Sequence, residues 1–268
     1  MKTTAVRYAS FFLCLCLVVT AAAGCGKKST VSKEEAYQIY NDLIQKFVPE
    51  FMTEPQECDV DITTRDEVTF VTEHFVRELN VKIQSQVVDG KLQYYLLSEF
   101  PAADKMDFYC INDDKLHAIS CGLNQKGKLE EWRFSMREAL LTGHLNIPAF
   151  SQEAIKDFKA EKIGSDIVMT FMLSGPEMPE GFAQRVMQEI SPRQNEYLDD
   201  VTIVLTTDKN RNPKTMSTRI SICILNEVGG IHAQKTLDMQ FVFNKLDNVD
   251  FDLRQIISQY ALETPAAE

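Results

Sequence analysis

The sequence predicts an α+β fold in which an antiparallel sheet packs against a few helices. Two observations lead to this fold class: long stretches alternate apolar with polar residues, and a few short segments repeat apolar residues at helical spacing. Consecutive antiparallel strands with helices collected on one face build such a two-layer structure. No change of composition marks a linker, so residues 32–262 are expected to fold as one domain and residues 263–268 to form a tail.

The first element of the domain is predicted to be a helix that begins after Ser32 and ends before Pro49. Ser32 and Glu35 stand three residues apart, as in a capping box, which satisfies backbone N–H groups at a helix start. Apolar residues then recur on one helical face, namely Ala36, Tyr40, Leu43, Ile44 and Phe47. This stripe predicts contact with the core of the domain rather than with a ligand.

The clearest strand signal is a hairpin over residues 79–98 that turns at Asp89-Gly90. An Asp-Gly pair between two alternating runs favours a two-residue turn, which places Val88 opposite Lys91. In that register the inward residues are Val81, Ile83, Val87, Leu92, Tyr94 and Leu96, and the outward ones are Gln84, Gln86, Lys91 and Gln93. Each strand of this hairpin is therefore expected to have one buried and one solvated side.

The same patterns predict the remaining elements. A second hairpin is expected to turn at Asp113-Asp114 with Cys110 opposite His117, and a third to turn at Gly164-Ser165. A strand is predicted at 129–136, helices at 136–143, 151–158, 179–190 and 251–260, and long strands at 200–225 and 232–246. In the strand that follows Pro213, alternation puts Met216, Thr218, Ile220, Ile222 and Ile224 on one face.

The amino terminus carries a secretory signal pattern, in which Lys2 and Arg7 precede an apolar core at 11–19 and a run of small residues. The segment AAGC, which ends at Cys25, resembles the lipobox of bacterial lipoproteins. The resemblance implies that residues 1–24 are a signal peptide, that Cys25 receives the lipid, and that residues 25–31 form a short tether. Several acyl chains on one cysteine hold a protein on a membrane without a spanning helix.

Two alternatives remain open for this segment. Ala21 and Ala23 also fit ordinary signal-peptidase cleavage, which would release a secreted protein without a lipid. The uncharged run 8–26 approaches the roughly 20 residues that span a bilayer, as an uncleaved anchor would. All three interpretations place the domain outside the cytoplasm, and the lipobox predicts attachment to the outer face of the bacterial cell membrane.

The charge of the chain excludes one class of partner. It has 28 basic against 39 acidic residues and a formal net charge of −11, and cleavage before Cys25 would remove two of the basic residues. Proteins that bind nucleic acid cluster Lys and Arg on one surface, so nucleic acid is not an expected partner. The expected partners are the membrane, through the lipid on Cys25, and a lipid or other apolar ligand; the sequence names no protein partner.

No pattern in the sequence indicates catalysis, a metal or a cofactor. The four histidines are far apart, and none stands at metal-binding spacing. The cysteines outside the leader and the lipid site include no C-x-x-C pair, allow three disulfide pairings, and are expected to be free thiols. The four histidines are His74, His117, His144 and His232, and the four cysteines are Cys58, Cys110, Cys121 and Cys223. We therefore expect a protein that is not an enzyme and binds no cofactor.

The stretch LTTDKNRNPKTMSTRISI, residues 205–222, resembles a hairpin of LolA-like bacterial lipoproteins, which include lipoproteins of Gram-positive gut bacteria. In that family a strand ends in an Asp-containing turn, followed by Pro, a basic residue and an alternating apolar strand. The CGKKS start, the capped first helix and the DGKLQYY hairpin fit the same plan. The resemblance implies that the antiparallel sheet is curved into a half-barrel, which wraps around helices and encloses an apolar cavity. In the characterised relatives this cavity holds acyl chains.

On this resemblance, the candidate ligand-binding residues are the large inward residues of the long strands, namely Ile83, Leu96, Ile220, Ile222, Leu237, Met239 and Phe241. Methionine suits such a site because its side chain adapts to ligands of different shapes. The alternative is that these residues fill the interior at close packing. In that case the domain is an interaction or structural module of the cell envelope, with no ligand.

Overall fold

A computed structural model describes residues 31–47, 56–70, 73–112, 115–133, 147–178, 195–225 and 229–262. These residues form two helices, eleven strands and three short 3₁₀ turns, at 101–103, 152–154 and 175–177. The helices are α1 (Lys33–Phe47) and α2 (Leu253–Tyr260). The strands are β1 (Cys58–Phe70), β2 (His74–Val88), β3 (Lys91–Phe100), β4 (Lys105–Asn112), β5 (Lys115–Gly122), β6 (Glu130–Glu131), β7 (Ile155–Ile163), β8 (Asp166–Ser174), β9 (Asn195–Thr207), β10 (Pro213–Leu225) and β11 (Ile231–Lys245).

All eleven strands belong to one open sheet in the order β6-β5-β4-β3-β2-β1-β11-β10-β9-β8-β7. Every pair of neighbours is antiparallel. All neighbours except β1 and β11 are consecutive in the chain, so each of these pairs is a strand that returns beside the one before it. Strands β1 to β6 follow one another from the centre of the sheet to one edge. Strand β7 lies at the opposite edge, and strands β7 to β11 follow one another from there back to the centre. The first and last strands therefore meet at the centre of the sheet, where β1 pairs with β11 along its whole length.

One face of the sheet, here called the core face, carries the inward residues of every long strand, such as Ile62, Ile83, Leu96 and Phe241.

Helix α1 packs on this face. The Tyr40 ring lies 4.9 Å from the ring of Phe150 and 6.1 Å from that of Phe171. The predicted apolar stripe of α1 is confirmed for four residues, which are buried: Ala36, Tyr40, Leu43 and Ile44. Pro49 and the side chain of Phe47 are outside the part of the chain that the structure describes. The predicted cap is also confirmed, since the Glu35 N–H donates to Ser32 Oγ at 3.2 Å.

Helix α2 packs on the opposite face, here called the outer face, against β3, β4 and β5. Its residues Leu253 and Ile257 join a second apolar cluster with Tyr95, Phe108 and Ile119. Alternation along a strand sends neighbouring side chains to opposite faces, so this cluster is separate from the core face. The prediction that the helices gather on one face is therefore wrong for the two helices described.

The predicted register of the Asp89-Gly90 hairpin is confirmed, with Val88 opposite Lys91. Both turn residues have positive φ, 52° and 78°, as a two-residue hairpin turn requires. The prediction of a solvated outer side is wrong at Gln86, which is buried. Its side-chain amide donates to the Phe251 carbonyl at 2.7 Å and accepts from the Phe251 N–H at 2.9 Å, because the segment that leads into α2 crosses this face.

The helix predicted at 151–158 is wrong: a single 3₁₀ turn precedes β7, which begins at Ile155. Pairing with β8 across the confirmed turn at Gly164-Ser165 overrides the weak local pattern of this segment. The strand predicted at 129–136 is reduced to the two residues of β6 among those described. The helices predicted at 136–143 and 179–190 lie outside the described residues, as does the turn at Asp113-Asp114.

Candidate functional site

The structure brings the seven predicted ligand-binding residues onto the core face. Ile83 and Leu96 are directly paired on β2 and β3. The other five lie on the adjacent strands β10 and β11, where Ile220 is opposite Leu237. Strand β1 separates the two groups and continues the apolar surface, since Ile62 pairs with Phe241 on one side and Val81 on the other. The seven positions therefore belong to one continuous apolar surface.

These seven side chains are at most 1% exposed. A side chain that lined a void large enough for a water molecule would have accessible surface within that void, and these have almost none. Each is therefore enclosed by contacting atoms, as in a close-packed interior. A ligand that reached these side chains would have to separate groups that are in contact in this structure.

The core face also carries polar side chains that the sequence analysis did not single out as a site. Thr64, Asp66, Thr218 and Lys235 are all buried among the apolar residues of β1, β10 and β11. Lys and Asp are almost never buried without a charged partner. Here the Asp66 carboxylate is 2.6 Å from the Arg77 guanidinium and 3.7 Å from the Lys235 ammonium, both through Oδ2.

Five buried polar atoms on the core face have no hydrogen-bond partner within the described part of the chain. They are Thr64 Oγ1, Asp66 Oδ1, Ser98 Oγ, Thr207 Oγ1 and Thr218 Oγ1. A buried polar atom without a partner costs roughly 1–3 kcal/mol, and most native proteins contain few. The strand alternation in CDVDITTRDEVTF already places Thr64 and Asp66 inward, and this signal could have revealed them.

A groove of about 270 Å³ opens on the outer face across β1, β2 and β3. Its lining combines charged and polar residues, such as Asp61, Lys82 and Glu99, with apolar ones, such as Leu97. It lies opposite the predicted apolar site. Two of its charges are paired with each other: Lys82 contacts Asp61 at 3.0 Å, and it also contacts the neighbouring Asp59. Burial raises the pKa of Asp59, but hydrogen bonds from Lys82, Asn244 and Gln84 outweigh it and lower this pKa overall. This network joins β1, β2 and β11 and accounts for the charges of Asp59, Asp61 and Lys82 without a ligand.

Two of the cysteines, Cys58 and Cys110, are not activated as nucleophiles. All four are free, as expected. The predicted pairing of Cys110 with His117 is confirmed, but burial raises the pKa of the Cys110 thiol to about 12. Burial likewise raises the pKa of Cys58 to about 12. A thiol must lose its proton to act as a nucleophile or metal ligand, so both are inert at neutral pH.

Within the described ranges, no three His, Cys, Asp or Glu side chains come together as a metal would require. Over the same ranges, neither helix combines the length and the apolar composition needed to cross a bilayer.

No protein-family model matches the chain, and no curated protein matches it. Among solved structures, a DUF1329 family protein from Desulfovibrio piger is 8% identical, with a TM-score of 0.29 over 82% of this chain and 96% of that chain. A domain described as an outer membrane lipoprotein-sorting protein, from Vibrio parahaemolyticus, is 10% identical, with a TM-score of 0.26 over 84% and 99%. A LolA superfamily protein from Nitrosomonas europaea is 9% identical, with a TM-score of 0.26 over 80% and 95%. Identities and TM-scores this low assign neither a fold family nor a function to this chain.

Proposed function

We propose that this protein is an extracytoplasmic lipoprotein, tethered to the membrane by lipid on Cys25, whose core face binds an apolar ligand. The leader and the AAGC segment support the tether. The LolA-like resemblance of the sequence implies the ligand class, a lipid or similar molecule. The fold is compatible with a short tether, because α1 begins only a few residues after Cys25.

The anchor is tested by Cys25→Ala in the full chain. We expect the wild-type protein to enter the detergent phase of a Triton X-114 separation and the variant to stay in the aqueous phase, because lipidation needs the Cys25 thiol. Cys121→Ala is the matched control and should behave as the wild type. A wild-type protein that stays in the aqueous phase and starts at residue 24 or 26 would refute the anchor.

The observation that carries the ligand proposal is the set of five unpartnered polar atoms on the core face. A face that served only to stabilise the domain would gain from valine at the three threonine positions, because valine has nearly the shape of threonine and leaves no unpartnered hydroxyl. Polar atoms kept at this cost are expected where a bound molecule supplies their partners.

A second candidate function, an envelope interaction module with a filled interior, is favoured by the almost complete burial of the seven apolar residues. Native mass spectrometry of the mature protein in a non-lipid detergent separates the two, with a displaceable fluorescent fatty acid as a second probe. We expect a co-purifying amphiphile and saturable binding of the fatty acid. Absence of both would refute ligand binding and leave the interaction module.

A further inference from the structure

We propose that Thr64, Asp66 and Thr218 form a headgroup site on the core face for the hydroxyl groups of an amphiphile, such as a monoacylglycerol. This inference rests on the proposed function, because it names the chemistry of the ligand that the core face would bind. It adds a polar subsite to a surface that is otherwise apolar.

The three residues lie close together because of the strand register at the centre of the sheet. Thr64 on β1 and Thr218 on β10 are both opposite Met239 of β11, so they are two strand spacings, roughly 10 Å, apart. Asp66 lies two residues further along β1, roughly 7 Å from Thr64. All three are at least nine-tenths buried, at 2%, 8% and 1% exposure for Thr64, Asp66 and Thr218.

The unpartnered atoms define which groups a ligand must present. Asp66 Oδ1 can only accept, so a ligand must donate a proton to it. The hydroxyls of Thr64 and Thr218 can each donate and accept, so they match a ligand oxygen or a ligand O–H. A diol of the glycerol or sugar type offers donors and acceptors a few ångströms apart.

The charges around the site argue against a charged headgroup. A carboxylate would face the free oxygen of Asp66, which is also negative. An ammonium would lie near two cations, since the other oxygen of Asp66 already contacts Arg77 at 2.6 Å and Lys235 at 3.7 Å. Like charges at such distances in a buried site are strongly unfavourable. Neutral hydroxyl groups avoid both penalties.

The apolar surroundings provide for the chain of the same ligand. Met239 lies between the two threonines, and Leu237 and Ile220 form the next row beside Asp66. In the other direction the rows continue through Phe241 and Met216. An acyl chain that extends from the headgroup site would follow the residues predicted to bind it, and the groups that now enclose these residues would have to separate to admit it.

The test compares 1-oleoylglycerol with oleic acid, which share one chain, in displacement of a fluorescent probe from the mature protein. We expect 1-oleoylglycerol to bind at least about tenfold more tightly. Thr64→Val and Thr218→Val should each weaken its binding about five- to tenfold, the effect of one buried hydrogen bond, and leave oleic acid unchanged. Both variants should also raise the Tm by a few degrees, because each removes a buried unpartnered hydroxyl.

Thr207→Val is the matched control. Thr207 is also buried on the core face with an unpartnered hydroxyl, but it lies at the end of β9, beside Pro213, four residues from Ile203, which is opposite Thr218. Its replacement should raise the Tm without changing the affinity for either ligand. Thr64→Ser keeps the hydroxyl and should keep the affinity for 1-oleoylglycerol if the valine variant fails to fold.

The possible outcomes separate the two proposals. Equal affinity for the two ligands, or valine variants that bind 1-oleoylglycerol as the wild type does, would overturn the headgroup site and leave apolar binding in place. Such a result would mean that buried water is the partner of these hydroxyls. If neither ligand displaces the probe, the proposed function itself fails.

Discussion

Phe241→Asp is expected to unfold the domain at room temperature. Phe241 lies at the centre of the sheet, paired with Ile62 on one side and Met216 on the other, and is 1% exposed. Loss of a buried ring costs about 3–5 kcal/mol. An unpaired carboxylate in the same place adds several kcal/mol more. Together these approach or exceed the whole stability of a typical domain, about 5–15 kcal/mol.

The matched control is Gln240→Asp, at the preceding position of the same strand. Gln240 is exposed on the outer face, between Thr63 and Ser217. Its replacement should change the free energy of unfolding by no more than about 0.5 kcal/mol. Urea denaturation followed by far-ultraviolet circular dichroism measures both variants. Equal tolerance of aspartate at 240 and 241 would show that the strand faces are assigned wrongly.

Tyr40→Ala is expected to cost about 3–5 kcal/mol of unfolding free energy, the usual cost of removing a large buried side chain. Tyr40 attaches α1 to the core face: its ring packs on Phe150 and Phe171, and its hydroxyl donates to the Pro148 carbonyl at 2.6 Å. Burial raises the pKa of Tyr40, so the hydroxyl remains protonated and able to donate. The variant is measured by the same denaturation.

Tyr40→Phe separates the ring from the hydroxyl. It keeps the packing and leaves the Pro148 carbonyl without its donor, so it should cost about 1–3 kcal/mol, less than the alanine variant. If the phenylalanine variant were as unstable as the alanine one, the hydrogen bond rather than the packing would hold α1. If both were as stable as the wild type, α1 would not contribute to the stability of the domain.

At the residues of the proposed headgroup site, a change that raises the stability of the ligand-free protein is expected to lower its affinity for the ligand. Replacing Thr64 or Thr218 by valine should stabilise the protein without ligand and weaken its binding of a monoacylglycerol. Such a trade-off is common where a functional site keeps polar groups in an unfavourable environment. The control at Thr207 separates the two effects, because its hydroxyl is equally buried but remote from the site.

The local elements with strong patterns could be predicted from the sequence. The Asp89-Gly90 turn determines the pairing of Ile83 with Leu96, because a two-residue turn leaves only one register. The same reasoning gives the β7–β8 turn at Gly164 and the pairing of Cys110 with His117. The capping box at Ser32 predicts the start of α1, because it satisfies backbone groups within four residues.

The polar part of the candidate site could not be predicted in the same way. Alternation indicates that Thr64 and Thr218 point inward, but not that both lie opposite Met239. That arrangement depends on β1 pairing with β11, two strands from opposite ends of the chain. The contact of Lys235 with Asp66 depends on the same pairing.

The sequence by itself therefore determined the strands of the hairpins with clear turns, their inward faces and their registers, because these depend on residues near one another in the chain. Only the tertiary structure decided three further features: the order of the eleven strands, the placement of α2 on the outer face, and the grouping of buried polar residues at the centre of the sheet. The physical reason is that local periodicity sets which side of a strand is buried. It does not set which distant strand or helix covers that side, and this choice depends on the packing of the whole domain.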